Sequence, residues 1–90
     1  MKNLEIIVSG RVQGVCYRAF VLQSANELDI KGYTKNLANG NVKVIAIAED
    51  SLLEVFVNIL KEGPSMARVD NLVTSEIIIG EEFDDFRIKY

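Results

Sequence analysis

The sequence predicts an α+β sandwich, with two helices covering one face of an antiparallel sheet of four to five strands. Three observations predict it. Segments of two-residue period and segments of helical period follow one another as strand, helix, strand, strand, helix, strand, with a short terminal strand. Asn39-Gly40, set between two strand-like stretches, marks an antiparallel hairpin. Each helical stretch carries one apolar stripe, which suits a helix lying on a sheet.

The elements follow in chain order. Leu4, Ile6 and Val8 alternate with Glu5, Ile7 and Ser9 in a first strand, largely buried. The run Gly10-Arg11-Val12-Gln13-Gly14-Val15-Cys16-Tyr17-Arg18 then connects it to a helix. Tyr17, Phe20, Val21, Ser24 and Leu28 recur at helical spacing, so that helix occupies about Ala19 to Leu28 and ends near Asp29. Gly32 to Leu37 and Val42 to Ala48 are the strands of the hairpin. Ser51 with Glu54 reads as a capping box opening a second helix, lined by Leu52, Phe56, Ile59 and Leu60. Gly63-Pro64 stops it, since proline cannot continue a helix. Val69 to Ile79, rich in β-branched residues, predicts a long fourth strand, and Phe86, Ile88 and Tyr90 alternate in a short fifth. The order βαββαβ plus a short last strand is that of ferredoxin-like folds. No linker or repeat divides the chain, so residues 1–90 are read as one domain.

Bulk properties narrow the function. Ninety residues with 49% hydrophobic content can bury one core. No apolar run nears the ~20 residues that cross a bilayer, and residues 1–9 lack the regions of a signal peptide. The expectation is a cytoplasmic monomer without a membrane partner, and the lone Cys16 suits a reducing compartment. A net charge of −3 and ten dispersed Lys and Arg residues count against a nucleic-acid partner.

The loop between first strand and first helix carries the chemistry. Glycines at 10 and 14 hold it open, and it ends on Arg18 at a helix start. Free amides, the positive helix end and a guanidinium together favour a bound phosphate. Known phosphate loops do not match: there is neither a Gly-Lys-Ser/Thr nor a Gly-x-Gly-x-x-Gly. A cysteine phosphatase would need an arginine six positions beyond Cys16, where Leu22 stands, so Cys16 reads as a small buried filler. Val12 and Val15 read as core anchors of the loop, Arg11 as an exposed charge and Tyr17 as packing. Asp84-Asp85 reads as a charged turn rather than a metal site. Asn36, taken alone, suits turn chemistry beside the hairpin.

GRVQGVCYR and, in the right order and at the right separation, GYTKNLANGNV (Gly32 to Val42) resemble the two signature segments of the acylphosphatase family. Ala67-Arg68-Val69-Asp70 and the ending Phe86-Arg87-Ile88-Lys89-Tyr90 extend the resemblance over nearly the whole chain. The resemblance implies a ferredoxin-like enzyme that hydrolyses the carboxyl–phosphate bond of acyl phosphates with no metal or other cofactor. It implies that Arg18 and the amides of Gly14, Val15, Cys16, Tyr17 and Arg18 bind the phosphate, and that Asn36 holds the attacking water. Inorganic phosphate would be product and inhibitor. Ala48, Ser65 and Met66 depart from the family's usual residues, outside the loop and Asn36.

The inventory suits that reaction. A carboxylate leaving group is a weak base and needs no general acid, and a loose transition state needs no strong general base. A chain with no histidine can therefore suffice through positioning and charge stabilisation. The alternative is a non-catalytic phosphate- or RNA-binding module on the same fold. RNA-binding sheets of this kind carry an aromatic motif that is absent here.

Overall fold

A computed structural model describes residues 1–90. The elements are β1 (Lys2–Arg11), α1 (Tyr17–Glu27), β2 (Lys31–Asn36), β3 (Val42–Ala48), α2 (Asp50–Glu62), β4 (Arg68–Glu76) and β5 (Phe86–Lys89). The sheet order is β4-β1-β3-β2-β5. This is the predicted ferredoxin-like sandwich.

Strand register sorts the side chains. Ile6 faces Val44 and Val8 faces Val42 across β1 and β3, so these four point to one side of the sheet. There they join Tyr17, Val21 and Ala25 of α1 and Leu53, Phe56 and Leu60 of α2 in a single apolar cluster. Both helices therefore cover the same face. The outer face carries Glu5, Lys43 and Tyr33, with Lys43 reaching Glu5 at 3.7 Å.

The sheet is mixed, not antiparallel throughout: β5 runs parallel to β2. The cause is the connection over residues 77–85. β4 descends beside β1 and ends opposite Leu4, near the start of β1. The chain then crosses that same end of the sheet, where β2 also begins, and the Gly32 amide donates to the Asp85 carbonyl at 3.0 Å. Entering at that end, β5 can only run in the direction of β2.

Other boundaries shift for local reasons. β1 continues past Val8 because a bulge between Ser9 and Gly10 preserves pairing with β4 as far as Arg11. The fourth strand stops at Glu76 instead of Ile79, since the chain must leave the edge to cross the sheet, and Ile78 is fully exposed. The capping box does not form. Ser51 already lies within α2, and the carbonyl of extended Glu49 accepts from the Leu52 and Leu53 amides. The hairpin forms as predicted. Leu37 donates to the Asn41 carbonyl at 2.8 Å, and Gly40, at φ 94°, makes the left-handed turn.

β1, β2 and β5 all run toward one end of the sheet. Arg11, Asn36 and Lys89, their last residues, are thereby gathered with the loop that follows β1.

Candidate active site

The loop at that end is pinned from beneath. Val12 and Val15 are buried in the core, as anchors should be, and leave the intervening backbone at the surface. Gly14 has φ 72° and Cys16 has φ 61°, both left-handed, and helical Tyr17 follows directly. Alternation of left- and right-handed residues turns successive amides to one side, the geometry of an anion-binding nest. No backbone hydrogen bond is donated by Gln13, Gly14, Val15 or Cys16, and the first helical bond runs from the Phe20 amide to the Cys16 carbonyl. The amides of Tyr17, Arg18 and Ala19 belong to the unpaired first turn. That turn has no acidic residue, so its positive end is uncompensated.

Cys16 is not the buried filler its type suggested. It is exposed, and it occupies the position preceding the helix without a side-chain cap. The left-handed backbone there turns its side chain away from the core.

A cleft of about 410 Å³ opens at this end, lined by Val12, Gly14, Cys16, Tyr17, Arg18, Ala19, Asn36, Ile88 and Tyr90. It brings together every predicted site residue except Val15, whose side chain belongs to the core while its backbone stays in the loop. The guanidinium of Arg18 lies 4.9 Å from the centre of the Tyr90 ring, and its Nη1 donates to the Lys89 carbonyl at 3.4 Å. No carboxylate pairs with it. Its charge is thus held in place without being neutralised.

Asn36, at the end of β2, offers a different group. Its Oδ1 is buried and accepts no hydrogen bond from the protein. An unsatisfied buried acceptor costs on the order of 1–3 kcal/mol, and a donor that reaches it, such as water, relieves that cost.

Tyr17 faces the other way. Its hydroxyl donates to the Leu60 carbonyl at 2.8 Å, and burial raises its pKa above the ordinary tyrosine value. It ties α1 to α2 and contributes its backbone, not its phenol, to the loop.

Three neighbours were not legible as site residues: Gln13, Ile88 and Tyr90. Gln13 donates through Nε2 to the carbonyls of Leu37 and Asn41, 2.8 Å each. Ile88 and Tyr90 arrive only because β5 lies beside β2. A larger cleft of about 530 Å³ lies under α2, yet the Lys2 ammonium in it is committed to Asp50 at 3.1 Å. No three acidic or cysteine side chains gather as a metal site.

Comparison with known proteins shows what the whole chain is similar to. A family model described as Acylphosphatase matches residues 4–88. An acylphosphatase of Archaeoglobus fulgidus is 42% identical over 90 residues, covering all of both chains. One from Thermus thermophilus is 46% identical over 82 residues, covering 91% of this chain and 90% of its own. The crystal structure of acylphosphatase from Bacillus subtilis superposes with a TM-score of 0.95 at 34% identity, over the full length of both chains.

Proposed function

The chain belongs to the acylphosphatase family and hydrolyses acyl phosphates; we propose that the amides of Gly14, Val15, Cys16, Tyr17 and Arg18, with the Arg18 guanidinium, hold the phosphoryl group while Asn36 holds the attacking water. The observation that carries this reading is the shared cleft. Arg18, unpaired with any acid, and Asn36, with its free buried Oδ1, line the same 410 Å³ space beside the amides.

The chemistry then runs in one displacement. The loop amides and Arg18 take the phosphoryl oxygens, each charge-assisted hydrogen bond contributing about 1.5–3 kcal/mol. Asn36 Oδ1 accepts one O–H of a water and so aims its oxygen lone pair at phosphorus. A P–O bond forms to the water oxygen as the P–O bond to the acyl group breaks. The electron pair leaves with the carboxylate, and the water proton passes to the phosphate. Negative charge spreads over the phosphoryl oxygens during this step, where the amides and guanidinium already stand. Inorganic phosphate, sharing those contacts, competes with substrate. The lone free thiol, Cys16, fits a monomer working in the reducing cytoplasm.

The test is turnover of acetyl phosphate without added metal. Arg18→Ala is expected to lower kcat/KM by about 10³–10⁵ and to abolish competition by inorganic phosphate. Asn36→Ala is expected to lower kcat by about 10²-fold while phosphate still competes. Turnover close to wild type in either variant overturns the assignment of that residue.

A further inference from the structure

We infer that Gln13 is the positioning residue that sets the distance between the phosphate loop and the water-holding asparagine. The two halves of the site come from different elements, and no main-chain bond joins them. The loop of residues 12–16 hangs from the end of β1, whereas Asn36 ends β2, and β3 stands between those strands. A hydrolase that works by placing a water against a phosphoryl group needs that separation fixed.

The Gln13 carboxamide bridges the gap. Both of its N–H bonds are spent on the hairpin, at 2.8 Å to the Leu37 carbonyl and 2.8 Å to the Asn41 carbonyl. These are not arbitrary acceptors. Leu37 directly follows Asn36, and Asn41 directly precedes Val42, the residue paired with Asn36 in the last rung of the hairpin. Gln13 therefore holds both strands of the hairpin one residue beyond the rung that carries Asn36. On its own side it immediately precedes Gly14, the first left-handed residue of the nest.

The hairpin does not need this bridge to close. Leu37 donates to Asn41, Gly40 donates to Leu37 at 3.2 Å, and the Asn41 amide donates to Asn39 Oδ1 at 3.0 Å. The loop has its own anchors in Val12 and Val15. What the Gln13 bonds add is the register of one against the other. The side chain does not line the cleft, so it acts through Asn36 and the nest rather than on substrate.

This inference rests on the assignment of the water to Asn36, and the experiment separates the two. Gln13→Met keeps length and shape but removes both donors. Gln13→Glu places carboxylate oxygens against two carbonyls and repels them. Each is made in the wild type and in Asn36→Ala, with acetyl phosphate turnover and inhibition by inorganic phosphate measured on all six proteins.

In the wild-type background both variants are expected to lose roughly 10–100-fold in kcat, the scale of an ångström-level misplacement, while phosphate inhibition changes less than about 3-fold. In the Asn36→Ala background the same substitutions are expected to cost almost nothing, because the water-holder is already gone. Equal losses in both backgrounds, or unchanged kcat, overturn the inference. Loss of phosphate inhibition also overturns it, since Gln13 would then serve the loop alone. If Asn36→Ala itself turns over like the wild type, the assignment of Asn36 fails first, and the readouts show that separately.

Discussion

A single side chain can tie two elements together through one hydrogen bond, and Tyr17 shows what such a bond is worth. Its ring is 1% exposed, and its hydroxyl satisfies the Leu60 carbonyl in the last turn of α2. Tyr17→Phe leaves that carbonyl without its donor and is expected to cost about 1–2 kcal/mol in urea unfolding, with acetyl phosphate turnover retained. The same burial raises the phenol's pKa, with a definite sign for pH. Below the ordinary value of about 10 the phenol is neutral folded and unfolded, so it adds no pH dependence. Above it the unfolded chain ionises and the folded one resists, so stability falls by up to about 1.4 kcal/mol per pH unit. Comparing wild type with Tyr17→Phe between pH 9 and 11 isolates this part of the loss. A wild-type slope identical to that of the variant would contradict it.

Among the elements, β1 decides where the site lies, because its end becomes the loop proposed to hold the phosphate. Gly10 sits in its bulge at φ 125°, and a Cβ there would stand 2.2 Å from the Arg68 carbonyl oxygen and 2.7 Å from the Asp70 nitrogen. Gly14, at φ 72°, has open space where its Cβ would be. Gly10→Ala is therefore expected to combine a backbone clash with strain and to cost about 3 kcal/mol or more. Gly14→Ala carries the left-handed strain alone, about 1–2 kcal/mol. Urea midpoints give the order, and a Gly14→Ala variant less stable than Gly10→Ala would refute it. Sequence patterning foretells the strand from Leu4 to Val8 but not the bulge, since the alternation ends after Ser9, at Gly10, and only pairing with β4 carries the strand onward. Strand propensity carries the fourth strand on to Ile79, three residues past its end at Glu76, because the need to cross the sheet end is not local. The parallel direction of β5 was hidden for the same reason. Within the site, the two signature segments pointed to Arg18 and Asn36, whereas the partners of Gln13 lie 24 and 28 residues away, beyond any local pattern.

At the scale of the whole molecule, the chain contains no histidine, and the proposed scheme uses neither a general acid nor a general base. The rate of acetyl phosphate hydrolysis is expected to vary by less than about 3-fold between pH 5 and 8, because no side chain with an unperturbed pKa in that window is available to titrate. A steep bell there would require an acid–base pair that this scheme omits. The sheet order has a further effect, on the time the molecule takes to assemble. Only β2 and β3 are joined by a short hairpin, and every other neighbouring pair is separated in sequence by at least one intervening element. Such long loops must close before their contacts repay the lost chain entropy, which places folding on the order of milliseconds to seconds. β1 must pair with two distant flanking strands, so the loop hanging from its end has its footing only once those long-range pairings have closed, and a newly made chain stays inactive until then.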